Sequence, residues 1–165
     1  MMNRLQTAGK LSGAPHLARR GIVVANARAL IAGKRILIAD DNAADAKHLA
    51  TTIGIISGME ALVETVASLR KAVEAMRTSK PVLLFVDDRI SGIEKFEHSM
   101  PQLRATAYTG PVIVVSSFIS PERRRVLFGL GAVDAVHKDD LEGLRVAEAI
   151  VRALGTREAD PQPDA

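Results

Sequence analysis

The sequence predicts an α/β domain of the (βα)5 type, three layers deep, with helices on both faces of a central five-stranded parallel sheet. Two observations carry this. Apolar runs of four to seven residues alternate along the chain with longer segments of helical periodicity, the signature of repeated βα units. The run VLLFV at 82–86 is apolar at every position, as a strand covered on both faces must be, and ends abruptly in Asp87-Asp88-Arg89. At 165 residues, 47% of them hydrophobic, the chain suits one compact domain with a core.

Taken in order, strands are expected near 35–39, 61–66, 82–86, 111–115 and 133–137, and helices near 43–57, 68–78, 93–106, 121–130 and 140–154. The first strand, RILIA, reads like the third and also ends in paired acids, so their ends are expected side by side. Ser120 before Pro121 and Glu122 is a good helix start, and Asp139 followed by Glu142 resembles a capping box. Gly58, Gly110, Gly131 and Gly155 sit where helices are expected to stop.

Composition sets limits. The chain has no cysteine, which excludes disulfides, zinc–thiolate sites and cysteine nucleophiles and suits a reducing interior. No apolar stretch approaches the ~20 residues that span a bilayer, so a soluble, cytoplasmic protein without membrane contact is expected. The net charge of +3 is uneven. Residues 1–35 hold seven Lys or Arg and no acid, while in the rest of the chain 15 basic residues face 19 acidic ones. The basic excess thus belongs to a leader, not to the body, and direct DNA binding is not expected. Residues 1–33 read as a basic N-terminal extension, passive or weakly helical, within which 21–32 (GIVVANARALIA) is apolar enough for a short helix docking on the domain or on another subunit. Residues 34–155 form the domain. Residues 156–165, with two prolines and three acids, read as a frayed tail.

Four strand ends, ILIADDN at 36–42, VLLFVDDRI at 82–90, PVIVVSS at 111–117 and AVHKDD at 135–140, each place charged or hydroxyl residues after an apolar run. In an open α/β sheet such residues converge on one crevice beyond the carboxyl ends of the strands. The convergent set is Asp40, Asp41, Asp87, Ser116 and Lys138. Carboxylates held this close repel one another, and a hard divalent cation bound through oxygen, Mg²⁺ above all, relieves that repulsion. One carboxylate can then act as a nucleophile toward phosphorus, with the cation and Lys138 neutralising the phosphoryl oxygens and Ser116 donating a hydrogen bond.

On these motifs, residues 34–155 resemble a response-regulator receiver domain of two-component signalling, a flavodoxin-like fold. In that family an acidic pair follows strand one, the phosphoacceptor aspartate strand three, a Ser or Thr strand four, and a lysine strand five. The separations here, 46 residues from Asp41 to Asp87, 29 more to Ser116 and 22 more to Lys138, are of the family's size. The resemblance implies that Asp40, Asp41 and Asp87 hold Mg²⁺ with the backbone carbonyl of Arg89. It further implies that Asp87, with Ser116 and Lys138, accepts a phosphoryl group from a histidine kinase or histidine phosphotransfer protein. Asp87 is preferred over Asp88 because counting from Asp87 puts aliphatic Ile90 where the family has one. The only chemistry implied is self-phosphorylation and self-dephosphorylation, not enzymatic turnover of a separate substrate.

Three departures stand out. Asp139 follows Lys138 where most receivers have proline, which is expected to loosen the lysine loop; Ser91 replaces another usual proline; and Ala135 stands where many receivers carry a switch aromatic. No output domain follows residue 155, so a stand-alone receiver is expected, acting as phosphate shuttle or sink or binding a target directly, with a homodimer among the partnerships considered. A kinase is expected to dock at the first helix, where Asn42-Ala43-Ala44 leaves an open approach. The alternative is a pseudo-receiver, a protein-interaction module that never accepts phosphate. A flavodoxin-like cofactor protein or small hydrolase lacks support, with no Gly-rich phosphate loop and no nucleophile elbow. Arg123-Arg124-Arg125 reads as a solvated face, and His48 and His98 as surface histidines rather than metal ligands.

Overall fold

The computed structural model describes residues 14–91 and 94–155. After a first helix, α1 (Ala14–Ile31), the chain runs β1 (Arg35–Ala39), α2 (Ala43–Ser57), β2 (Leu62–Val66), α3 (Leu69–Ser79) and β3 (Leu83–Asp87). A two-residue ribbon follows, β4 (Arg89–Ile90) against β5 (Glu94–Lys95), and then α4 (Phe96–Arg104), β6 (Val112–Ser116), α5 (Pro121–Gly129), β7 (Asp134–His137), a 3-10 turn (Lys138–Asp140) and α6 (Gly143–Leu154). The expected frayed tail at 156–165 and the expected helix start at 93 lie outside the described residues.

The main sheet is five-stranded and parallel, in the order β2-β1-β3-β6-β7. β3, apolar up to its final Asp87, is its centre, and β1, β3 and β6 are buried along nearly their whole length. Alternation of side chains divides the core in two. Ile36, Ile38, Phe85, Ile113, Val115 and Val136 face a layer of α1, α2 and α6, while Leu37, Leu84, Val86, Val112, Val114 and Ala135 face α3, α4 and α5.

Local chemistry sets the helix starts. Asn42 caps α2 by accepting from the amides of Ala44 and Asp45, Ser68 caps α3 through Lys71, and Ser120 caps α5 through Arg123, with Pro121 in the first turn. The expected capping box at Asp139 is not formed. Asp139 lies in the 3-10 turn, and Glu142 takes the cap position of α6 without a side-chain bond. Gly110 likewise ends no helix, because α4 stops at Arg104. Gly58 is required where it stands: it adopts φ 66°, and the Arg28 guanidinium occupies the place where a β-carbon would sit.

The basic leader contributes a helix to the domain. α1 begins at Ala14, seven residues before the expected start, and packs on α6 and α2, burying Ala27 and Ile31 completely in the same core as Ile36 and Ile53. Arg28 pairs with Glu60 at 3.3 Å beside the end of α2. The part of the leader from Val23 to Ile31 thus packs into the core of the domain, while residues 15–22 stay exposed. At the other end of the sheet layer, Asp134 is fully buried and receives both guanidinium nitrogens of Arg145 at 2.8 and 3.0 Å, and Arg152 at 3.0 Å. Burial alone would raise its pKa; the Arg145 hydrogen bonds and charge outweigh that and hold it low, so the carboxylate stays ionised and ties β7 to α6. Among the described residues no helix is long and apolar enough to cross a membrane.

Ile31→Ala is expected to destabilise the whole domain by about 3 kcal/mol, the usual loss for truncating a fully buried isoleucine. Urea unfolding followed by circular dichroism checks this; a change below about 0.5 kcal/mol is the expectation for a peripheral extension.

Candidate functional site

Parallel strands in register deliver their final residues to one edge. Ala39 of β1 lies opposite Val86 of β3, Asp87 opposite Val115 of β6, and Ser116 opposite His137 of β7. Asp40, Asp87, Ser116 and Lys138 therefore emerge together at the carboxyl ends of four strands. Asp40, Asp87 and Ser116 are buried there, whereas Asp41 is exposed.

The Lys138 ammonium is the centre of the acid cluster. It lies 2.9 Å from Asp40 Oδ2, 3.0 Å from Asp45 Oδ2 and 3.3 Å from Asp87 Oδ2. Burial by itself would lower the Lys138 pKa; hydrogen bonds to Asp40 and Asp45, with the charges of Asp87 and Asp40, prevail and raise it. The lysine is charged at every physiological pH. Asp87 behaves oppositely: burial, then the charge of Asp40, push its pKa up to about 6, against the pull of Lys138 and of the Arg89 amide that donates to Oδ1 at 3.3 Å.

Even with Lys138 present the edge is rich in negative charge. One carboxylate oxygen from each of Asp40, Asp41 and Asp87 lies within 4.8 Å of the other two, a spacing of hard oxygen donors that fits a small divalent cation such as Mg²⁺. The chemistry of this donor set meets the requirement that the sequence raised. Asp40 is further oriented by the Asn42 amide at 2.9 Å.

The expected loosening of the lysine loop is not found. The 3-10 turn after β7 is closed by the Asp139 amide donating to His137 Nδ1 at 3.0 Å, and the next residue along, Leu141, is buried with its carbonyl accepting from Thr52 of α2 at 3.0 Å. Three carboxylates and two anchors hold Lys138 without the proline.

Strand alternation also separates residues that the sequence grouped. Asp40, Asp87 and Lys138 continue the parity of Ile38, Phe85 and Val136 and share the α2 side. Ser116 continues the parity of Val114, and Asp88 that of Val86, toward α4 and α5. The Ser116 hydroxyl accordingly bonds within its own loop, donating to the Phe118 carbonyl at 3.0 Å and accepting from the Phe118 amide at 3.2 Å, and lies 3.5 Å from Asp88 Oδ2. A groove of about 710 Å³ runs past both sides, lined by Asp87, Arg89, Ser116, Arg123 and Lys138 among others.

Two functional neighbours escaped the sequence reading. Asp45, in the first turn of α2, is a third carboxylate on Lys138 beside Asp40 and Asp87, so the approach beside Ala43 and Ala44 carries charge as well as space; its place three residues after the Asn42 cap is the signal that would have found it. Arg123 is not part of a solvated face. Its side chain is 19% exposed and grips two carboxylates, Asp88 through Nε at 3.0 Å and Nη2, and Glu97 through Nη1 and Nη2, the latter at 2.8 Å. Arg124 is half-buried and donates to the Ala135 carbonyl at 3.3 Å; Arg125 alone of the three is solvated.

A model of the response regulator receiver domain matches residues 36–149. The chain belongs to the response-regulator receiver family. Solved receivers share its fold. The signal receiver domain of a putative LuxO repressor protein from Vibrio parahaemolyticus aligns with a TM-score of 0.61 at 20% identity, over 78% of this chain and 98% of its own. The receiver of the putative response regulator NarL from Mycobacterium tuberculosis gives 0.62 at 16% identity, over 78% and 99%. The BeF3-activated receiver of RstA from Klebsiella pneumoniae gives 0.60 at 19%, over 72% and 97%. No curated protein sequence matches the chain significantly. The receiver match starts after α1, so that helix is an addition to the part that is shared.

Two outcomes are expected. Asp41→Ala weakens Mg²⁺ binding, read by isothermal calorimetry, about tenfold or more; an unchanged affinity removes Asp41 from the site. The Glu97 carboxylate, hydrogen-bonded by Arg123 against the opposing effect of burial, has its pKa lowered to about 2 from 4.5. A depressed acid stabilises the fold above its unfolded value and loses that contribution as pH falls through the folded one. The stability advantage of the parent over Glu97→Gln is therefore constant above about pH 5 and vanishes near pH 2, as urea titrations across that range will show.

Proposed function

We propose that this receiver accepts a phosphoryl group on Asp87 from the phosphohistidine of a histidine kinase or histidine phosphotransfer protein, with Mg²⁺ as cofactor. The observation that carries the reading is the meeting of Asp40, Asp41 and Asp87 within 4.8 Å beside the Lys138 ammonium. Asp40, Asp41 and Asp87, with the Arg89 carbonyl, would hold the cation, which when bound supplies charge neutralisation on the phosphoryl oxygens.

The residues divide the work. An Asp87 oxygen forms the bond to phosphorus as the donor's P–N bond breaks, leaving an acyl phosphate and the donor imidazole, which takes its proton from solvent. Lys138, held charged by Asp40 and Asp45, moves its ion pair from the Asp87 carboxylate to a phosphoryl oxygen. Ser116, at the same edge, donates its hydroxyl proton to another. No base is needed, because the nucleophile is a carboxylate. The chemistry is confined to the protein's own phosphorylation and dephosphorylation.

The reading extends to a cytoplasmic receiver that shuttles or drains phosphoryl groups, without contacting DNA itself. Ala135 supports it: that residue is fully buried under α5, and no aromatic ring stands there to swing inward. A homodimer is compatible with this role.

Incubation with acetyl phosphate or phosphoramidate, with and without Mg²⁺, followed by intact mass and peptide mapping after borohydride trapping, tests the proposal. A Mg²⁺-dependent gain of one phosphoryl group on Asp87, lost in Asp87→Asn, is expected. Labelling of Asp88 instead overturns the acceptor assignment, and absence of labelling from small donors and from phosphorylated histidine partners alike makes the protein a phosphorylation-independent interaction module.

A further inference from the structure

Asp87 and Asp88 are consecutive, yet alternation sends them to opposite faces of the sheet, so an event on one is separated by a single peptide from the other. Asp88 is buried and its amide is fixed to the Val115 carbonyl at 2.9 Å. Its carboxylate is held by Arg123 of α5, and the same guanidinium holds Glu97 in the first turn of α4. Three elements, the end of β3, α4 and α5, are thus joined through one side chain.

Helix α4 depends on such outside support. It has nine residues, no side-chain bond at its N-cap, and Pro101 in its interior, where a proline removes an intrahelical hydrogen bond. Helices this short are marginal in water unless tertiary contacts hold them. Phe96, Met100 and Leu103 supply apolar contact on one face, and the Arg123–Glu97 pair supplies the polar contact at the first turn.

Ser116 links this clamp to the acceptor. Its one hydroxyl proton has three claimants: the Phe118 carbonyl, Asp88 Oδ2, and the phosphoryl oxygen that Asp87 would carry. Turning to the phosphoryl group takes that proton from the first two and releases the Phe118 amide, which now donates to Ser116. Both changes end at Arg123. One reaches it through Asp88, the other through the short loop to Ser120, whose hydroxyl accepts the Arg123 amide at 3.0 Å. The β7 position that could otherwise carry a moving ring holds Ala135.

We propose that phosphorylation of Asp87 is read out by the Asp88–Arg123–Glu97 clamp, which ties α4 to α5 in the unphosphorylated receiver and is released when Ser116 turns to the phosphoryl group. This rests on Asp87 being the acceptor. The output is a loosened α4, and Arg123 is the positioning residue that conveys it.

The test uses the full chain with Mg²⁺ and phosphoramidate, and in parallel with beryllofluoride, which mimics the phosphoryl group. Mass mapping of Asp87 is followed by hydrogen–deuterium exchange of residues 96–104 and by the NMR resonance of Arg123 Nε–H. On labelling, exchange of α4 rises at least fivefold and the Arg123 resonance moves. Glu97→Gln raises α4 exchange before labelling, gains little more after it, and still takes the label on Asp87. Ser116→Ala, compared at equal labelled fraction, leaves α4 exchange and the Arg123 resonance as in the unlabelled parent. Labelled Asp87 with unchanged α4 exchange and an unmoved Arg123 resonance overturns the clamp while leaving the proposed function standing. Failure of Asp87 to take label or bind beryllofluoride overturns both.

Discussion

The Lys138 ammonium, within 3.3 Å of three carboxylates, is the interaction on which the arrangement of this edge depends. Without a cation there, Asp40, Asp45 and Asp87 would have to scatter or protonate, because like charges at such distances in a partly desolvated site are costly. One lysine does not balance the cluster. Asp41 adds a further acid, and Asp87 still has its pKa pushed up to about 6 by burial and by Asp40. That residual imbalance makes the edge a place for a divalent cation and for a carboxylate that reacts.

The sheet then acts as a partition. Residues of one parity, Asp40, Asp87 and Lys138, face α2 and form the charged site; residues of the other, Asp88 and Ser116, face α4 and α5 and join a second ion-pair system around Arg123. The two systems share no side-chain hydrogen bond among the described residues, yet they meet through the Asp87–Asp88 peptide and through the groove that passes both. Receivers with TM-scores of 0.60 to 0.62 at 16 to 20% identity show that the fold tolerates wide sequence change. The packing of this chain has features of its own. α1 is laid over α2 and α6, Ala135 is fully buried beneath α5, and Arg123 bridges α4 and α5.

Much of this was legible in the residues. ILIA at 36–39, VLLFV at 82–86 and VIVV at 112–115 are apolar throughout, and burial on both faces follows directly, as does the central place of β3. Asn42, Ser68 and Ser120 start their helices because their side chains reach amides two or three residues on, a local matter. Where local signals misled, tertiary contact had prevailed. Asp139 forms no capping box because the chain takes a 3-10 turn to deliver Lys138 to the acids, and α1 begins seven residues before its apolar stretch, its exposed first turns continuing the helix that Ala27 and Ile31 anchor in the core.

The sequence by itself determined the alternation of elements, the ends of the strands and the residue types that gather at them, because those depend on periodicity and on neighbours a few positions away. Only the tertiary structure decided the partners. That Lys138 finds Asp45, 93 residues distant, that Arg123 finds Asp88 and Glu97 rather than water, and that the Ser116 hydroxyl lies beside Asp88 are consequences of strand register and helix packing. An ion pair is specified by distance in space, and no local pattern of residues encodes that distance.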